Sequence, residues 1–337
     1  MRQPYLVVGA LIGLLSGAGA VMAQTDPGRI PGPVVGAQNA LNDKDQQVVI
    51  SYIDYWVKQL QSGKPEAIAT ARGRLTEAYN QGGTEVFVTF YDQSLATRIG
   101  AGLGAKDVAG RMNTLLVAKL IRHERVIDVI KAGLKEQAAA VAYQAAVAAK
   151  ALVDNPKVAN AVKFGLRGPV AEALKKENSA FVLPYLYGAL IAIDDVAGWD
   201  AVLAKINDRL AAHYASDTAG LDAEVDGLRV LSDRLINLFA SPSAELKVPD
   251  KTLHMFSLVC VRYLELALSA TTPNAALVNL CDTRLQWAAR QLKVTAPAAI
   301  NNKTVDEQKL GLSDWKRLLK GDPFKFADAD INKPVKK

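Results

Sequence analysis

The chain has 337 residues, of which half are hydrophobic and 22% are charged, and its formal net charge is +6 at pH 7. This much apolar side chain can fill a sizeable core, so the composition excludes an intrinsically disordered protein. The modest basic excess forms no contiguous basic stripe, and this argues against a nucleic-acid-binding protein.

The first 23 residues have the pattern of an export signal. Arg2 supplies a positive start, residues 6–22 are apolar or small with one serine, and the run ends at Val21-Met22-Ala23, the small-residue pattern that signal peptidases cleave. We therefore expect cleavage after Ala23, export to the periplasm or the exterior, and a mature chain without a transmembrane span. An uncleaved membrane anchor is the alternative, because about 18 apolar residues just reach across a bilayer.

Residues 24–40 form the next segment. The sequence "QTDPGRIPGPVVGAQN" (24–39) holds three prolines and three glycines, and such a composition predicts a flexible leader without regular structure. We expect a helical-repeat domain over residues 41–295. Residues 296–337 are predicted to form a C-terminal linker, a short capping helix and a basic tail.

Helical periodicity dominates residues 41–295. Apolar residues recur at i, i+3, i+4 and i+7, which is the spacing of one face of an α-helix. The segment "VFVTFY" (86–91) alternates like a strand, but Thr84 after two glycines is a good helix N-cap, so we predict a helix there too. The protein is therefore predicted to be all-α. Typical stripes are Val49, Tyr52, Ile53, Trp56, Val57 and Leu60; Phe181, Val182, Tyr185, Leu186, Ala189, Leu190 and Ile193; and Leu253, Phe256, Cys260, Tyr263 and Ala267.

The run "AAAVAYQAAVAAKAL" (138–152) predicts an unusually thin helix. Short, proline-containing links between the stripes make neighbouring helices antiparallel. Residues 125–152 then form one hairpin, with a turn at 135–137. Alanine on most faces lets the second helix approach neighbours on more than one side, as the inner row of a stacked helical array requires.

This run resembles the second helix of a HEAT-type repeat. The resemblance implies an irregular α-solenoid of stacked hairpins, although the proposed hairpins do not keep a constant repeat length. A non-repetitive helical bundle is the alternative. The matching positions are Val141, Ala145, Ala146, Ala148 and Leu152, and the departures are Ala142, Ala149 and Lys150, where the family favours Arg, Leu and Gly.

Cys260 and Cys281 are the only cysteines, and they lie at similar distances from one predicted turn. On antiparallel helices their sulfurs would stand at nearly the same height. In an oxidising compartment a disulfide there would close a loop of about 20 residues and stabilise the fold by on the order of 3 kcal/mol. The alternative is two buried thiols packed as small hydrophobic groups, because helix axes about 8–10 Å apart can leave the sulfurs too distant.

The segment "LSDWKRLLKGDPFKF" (312–326) predicts a short amphipathic helix capped by Ser313 or Asp314. We favour a capping helix that seals the last hairpin, as a helical array needs. A helix that docks on a partner or a membrane surface is the alternative. Its two sides carry Trp315, Leu318 and Leu319 against Lys316, Arg317 and Lys320.

No catalytic, cofactor-binding or metal-binding motif stands out in the sequence. The three histidines, at positions 123, 213 and 254, have no second histidine or cysteine three or four residues away. "GAGLGAKD" (100–107) lacks the spacing of a nucleotide-binding loop and is predicted to be a flexible inter-helix loop. "DADIN" (328–332) lacks the glycine and glutamate of a calcium loop. Asp194-Asp195 is predicted to be a solvated turn. We expect no catalytic residue, no cofactor and no metal.

Stacked helical arrays present extended surfaces to other polypeptides. By this analogy of fold, we predict an exported, non-enzymatic interaction or scaffold module whose partner is another protein of the cell envelope. The alternative is an envelope hydrolase or glycan-active enzyme with a site assembled from distant helices. A deep pocket with convergent carboxylates of strongly perturbed ionisation would favour that enzyme.

Overall fold

A computed structural model describes residues 25–212, 221–241, 247–270 and 272–332. Over these ranges the chain forms 15 α-helices and one 3-10 helix, without a strand, so the prediction of an all-α protein is confirmed. The predicted signal segment and His213 lie outside the described residues.

The helices follow one another with short connections. The 3-10 helix Ile99–Gly104 lies between the fourth and fifth α-helices. The α-helices are α1 (Gly32–Val35), α2 (Asp43–Gln59), α3 (Pro65–Asn80), α4 (Glu85–Arg98), α5 (Val108–Ala118), α6 (Val126–Gly133), α7 (Ala139–Asp154), α8 (Asn160–Lys176), α9 (Leu183–Ala192), α10 (Val196–Ala212), α11 (Asp222–Ala240), α12 (Asp250–Ser269), α13 (Ala275–Gln291), α14 (Val305–Lys320) and α15 (Asp328–Ile331).

Alternate helices pack side by side in two rows. One row contains α3, α5, α7, α9 and α11, and the other contains α6, α8, α10, α12 and α14. Consecutive helices, such as α6 and α7 or α12 and α13, contact each other and join the rows. Stacked hairpins would give this order of contacts. The HEAT-like repeat itself stays a prediction.

The thin helix α7 is buried on more than one side. It contacts α5 and α9 in its own row and α6 and α8 in the other. Val141, Ala145, Ala148 and Leu152 are fully buried, as the sequence predicts for the inward face. Small side chains allow helix axes to approach closely, so alanine lets α7 contact four neighbours.

Helix α4 forms where the sequence alternates like a strand. Thr84 accepts a hydrogen bond from the amide of Phe87 at 3.2 Å and caps the helix, as predicted. Phe87, Tyr91 and Leu95 are fully or almost fully buried at a spacing of four residues. This helical burial, rather than the local alternation, determines the conformation.

The proline- and glycine-rich leader is not devoid of regular structure, so that expectation was wrong. It contains the four-residue helix α1, whose Val34 and Val35 are buried. The amide of Thr84 donates to the carbonyl of Val35 at 3.1 Å, and the Thr84 hydroxyl donates to the carbonyl of Ala37 at 2.6 Å. The φ angle of proline suits a first helical turn, so the prolines favour this short helix. The burial of the two valines then anchors the segment on α4.

Residues 100–107 are also more ordered than the sequence analysis expects. The predicted flexible loop is largely the 3-10 helix. Gly102 is buried, and a Cβ at this position would lie 2.2 Å from the hydroxyl of Thr114. A glycine is therefore required by close packing rather than by flexibility.

Helix α12 is long and apolar enough to cross a membrane by length and composition. No such segment is predicted from the sequence after the signal. In the fold, 78% of its apolar window is buried inside the protein, and Arg262, which is 4% exposed, lies in its middle. These features are those of a core helix in a helical domain.

Candidate binding site

The C-terminal helix α14 packs its apolar side against the rest of the domain. Trp315 is 1% exposed and Leu319 is fully buried, so neither is free to contact a partner or a membrane. The Lys316 ammonium pairs with Glu265 of α12 at 2.6 Å, and Arg317 pairs with Asp314 at 2.7 Å. These contacts are those of a helix that packs on its own domain, as the capping prediction requires; the docking helix stays an alternative prediction.

The predicted start of this helix, at Ser313 or Asp314, was wrong. Helix α14 begins at Val305, after Thr304, whose hydroxyl accepts from the amide of Glu307 while the Glu307 side chain bonds the Thr304 amide. This capping box is readable as Thr-x-x-Glu in the sequence.

The two cysteines are free and fully buried. Burial raises the pKa of both thiols, and Cys260 raises that of Cys281 further. The disulfide stays a prediction. Alkylation of the unfolded, unreduced protein followed by mass spectrometry distinguishes two thiols from one disulfide.

The remaining motifs from the sequence have structural contacts. His254 lies against the ring of Phe324, with 4.9 Å between the ring centroids. Asp194 pairs with Arg234, and Asp195 pairs with Arg167 at 3.0 Å, so the predicted turn is held by ion pairs rather than only solvated. Within the described ranges no group of three His, Cys, Asp or Glu side chains could hold a metal ion.

An open cavity of about 780 Å³ lies where the α6–α7 turn meets α8 and the start of α9; we call it the α6–α9 cavity. Pro169 on its wall lies inside α8 and has no amide to donate to the carbonyl of Gly165, and a proline at such a position opens the helix. The volume is within the range of ligand sites. The apolar part of the lining includes Leu134, Ala142, Pro169, Val182 and Leu186.

The carboxylates of this cavity are already engaged. Glu136 pairs with Arg111 at 2.9 Å, and Glu177 accepts from the backbone amides of Asn178 and Ser179 at 2.8 and 2.7 Å. Glu172 accepts from Lys175 at 2.6 Å, and this contact lowers the pKa of Glu172. A ligand in the cavity would therefore meet carboxylates that already have partners.

One exposed and two partly buried aromatic side chains form a group, which we call the aromatic ledge: Phe181, Tyr143 and Tyr185. Phe181 is 81% exposed. Tyr143 and Tyr185 pack edge to face with 5.5 Å between centroids, and their hydroxyls lie 3.3 Å apart. Together with Pro184 they line a shallow hollow of about 500 Å³.

The sequence stripe places Phe181 on the inward face of a helix, and this was wrong. Helix α9 begins at Leu183, with Pro184 in its first turn, so Phe181 precedes the helix. The spacing of Phe181 from the apolar residues that follow therefore does not place it on their face of the helix. Proline is favoured in the first turn of a helix, so the position of Pro184 in the sequence indicates where α9 begins.

A third cavity, of about 670 Å³, lies along the row formed by α7, α9 and α11; we call it the row cavity. The charged side chains of its wall form ion pairs with oppositely charged side chains of the same protein. Lys150 pairs with Asp154, Arg234 pairs with Asp194, and Asp233 pairs with Arg284 at 2.5 Å. This surface therefore differs in charge from the α6–α9 cavity.

The α6–α9 cavity and the aromatic ledge were not predicted from the sequence. Two signals were present: Lys131 and Lys135 flank the end of one helix, and Pro169 interrupts a helical pattern. Neither signal indicates that a turn, a helix with an internal proline and the start of another helix meet around one hollow. That meeting is a property of the tertiary packing.

Comparisons of this chain with protein-family models, with curated proteins and with solved structures find no match.

Proposed function

We propose that this protein is a non-enzymatic interaction module that binds a polypeptide segment in the α6–α9 cavity and on the aromatic ledge. The observation that carries the proposal is the 81% exposure of Phe181, whose neighbour in the chain, Val182, lines an open and partly apolar cavity of about 780 Å³. Exposed aromatic residues next to concave apolar surfaces are typical of binding hot spots.

The setting that we propose is the cell envelope. Residues 6–22 and the ending Val21-Met22-Ala23 support export, with another envelope protein as the partner. N-terminal sequencing of the native protein tests this part of the proposal. A chain that begins at Gln24 supports cleavage, and an intact N-terminus supports the anchored alternative.

The hydrolase alternative has less support. It calls for convergent carboxylates of perturbed ionisation in a deep pocket, whereas the carboxylates of the α6–α9 cavity have partners. Burial raises the pKa of the Asp92 carboxyl, but Asp92 is 4% exposed and is held by Tyr79 at 2.5 Å and Arg122 at 2.9 Å in the core. This cluster has the contacts of a buried structural group.

Selection of peptides from a random displayed library tests the proposed function. The immobilised protein is the bait, and fluorescence anisotropy then measures the dissociation constant of each selected peptide. We expect saturable binders whose affinity falls about fivefold or more in Phe181→Ala, since truncation of a hot spot costs more than about 1 kcal/mol.

Phe164→Ala is the matched control, because Phe164 is 49% exposed on α8 and does not line the α6–α9 cavity. It should leave the affinity unchanged. Failure to select any saturable peptide, or equal effects of the two substitutions, would overturn the proposed function.

A further inference from the structure

The lining of the α6–α9 cavity holds equal numbers of lysines and glutamates, three of each. Two of the glutamates, Glu136 and Glu172, are neutralised by Arg111 and Lys175, which lie outside the lining. The lysines of the lining therefore face one carboxylate without a cationic partner, that of Glu177, and the local charge is positive.

These three lysines have no anionic partner. Lys131 and Lys135, at the end of α6, and Lys176, at the end of α8, are exposed and form no ion pair with any part of the chain that the structure describes. By contrast, the three carboxylates each have a partner, so the positive surplus is presented to solvent at the mouth of the cavity.

Four helix termini meet at the cavity, and their partial charges oppose one another. The C-terminal ends of α6 and α8 lie at its wall with Lys131 and Lys176, and the N-terminal ends of α7 and α9 lie near Gln137 and Val182. Carbonyls at a helix C-terminus carry a partial negative charge, and amides at an N-terminus carry a partial positive charge. The positive potential therefore comes from the lysine side chains, and a concave surface with low-dielectric walls concentrates their field.

The lining also favours a ligand with an apolar group. Leu134, Val182 and Leu186 form part of the wall, and Phe181 projects from the adjacent ledge. The row cavity, where the opposite charges are paired with each other, has no comparable surplus. Positive potential and apolar lining coincide at the α6–α9 cavity.

We infer that the α6–α9 cavity binds an acidic polypeptide segment that carries a large apolar side chain. Aspartate or glutamate side chains of the segment pair with Lys131 and Lys135, while its apolar side chain enters beside Leu134 and Phe181. This inference rests on the proposed function and specifies the chemistry of the partner.

The test uses the peptides selected in the library experiment. We expect them to be enriched in aspartate and glutamate around an apolar residue, and we expect their affinity to fall as the salt concentration rises. The double variant Lys131→Glu with Lys135→Glu should lower the affinity about tenfold, since each exposed ion pair contributes up to about 1 kcal/mol. The double variant Lys64→Glu with Lys309→Glu, at exposed positions away from the cavity, is the control of equal net charge.

The outcomes separate the two proposals. Acid-rich peptides that lose affinity in the cavity variant but not in the control support the inference. Peptides without acidic enrichment, or peptides insensitive to the cavity variant, overturn it, and the proposed function stands if those peptides still depend on Phe181. Absence of any saturable peptide overturns both. Circular dichroism of each variant shows that it remains folded.

Discussion

Helices α7 and α12 are both interior helices, but they fill space in opposite ways. Four of the eight buried residues of α7 are alanines, whereas α12 buries 14 residues that include Leu253, Phe256 and Tyr263. Residues of α7 line all three cavities described above, through Ala142, Tyr143 and Lys150, and residues of α12 line none of them.

The comparison indicates how side-chain volume divides the molecule. Large side chains of α12 fill the space between helices at the density of a protein core. Alanines of α7 bring neighbouring helices close without covering the ends of those helices, so hollows remain at the turns. The helix with the smaller buried side chains is therefore the one that borders the cavities described above.

Truncation in α12 should have the largest effect on stability. Phe256 is fully buried, and Phe256→Ala should lower the free energy of unfolding by about 3–5 kcal/mol through lost burial and a cavity. Urea unfolding followed by circular dichroism measures the change. Phe164→Ala, at a half-exposed position, should cost less than about 1 kcal/mol, and equal losses would contradict the division between sealed and open regions.

Enlarging a buried side chain of α7 should have an intermediate effect on stability. Ala145 is fully buried between helices, and Ala145→Leu should lower the free energy of unfolding by about 1–3 kcal/mol because the added atoms overfill a close contact. Ala140→Leu places the same side chain on the exposed side of the same helix. The same unfolding measurement should find it close to the wild type, and a tolerated Ala145→Leu would show that α7 is not closely packed.

The smallest effect on stability is expected from a glycine substitution at the wall of the row cavity. A Cβ at Gly188 would lie 2.5 Å from the Cε of Lys150, at the mobile end of that side chain. Since alanine favours a helix over glycine by about 1 kcal/mol, Gly188→Ala should raise the free energy of unfolding by up to that amount. Gly227→Ala is the contrasting variant, because its Cβ would lie 2.9 Å from the packed ring of Tyr187. A clear loss of stability in Gly188→Ala would show that Lys150 cannot move.

Much of the secondary structure was predictable because the apolar spacing is strongly periodic. The stripes of α2 and α12 are buried as predicted, and the Thr84 cap resolves the ambiguity of residues 86–91. Boundaries were less predictable. Phe181 continues a stripe in sequence, but Pro184 sets the start of α9 after it.

The candidate site was the least predictable part. The sequence directs attention to Trp315, whose aromatic and basic neighbours resemble a docking helix, yet Trp315 is buried. Conversely, Lys131, Lys176 and Phe181 are separated by up to 50 positions and carry no shared motif. Their proximity follows from the packing of α6, α8 and α9 around one turn.

The sequence by itself determined the helical class, the thinness of α7 and the position of several caps, because periodicity, side-chain volume and capping hydrogen bonds act over a few residues. Only the tertiary structure decided which apolar residues stay exposed and which charges stay unpaired. Exposure and ion pairing depend on which helices pack together, because the neighbours that cover or pair a side chain are distant in sequence. Phe181 and Lys135 became candidates for binding because the fold leaves both exposed, one in the shallow hollow of the aromatic ledge and the other in the α6–α9 cavity.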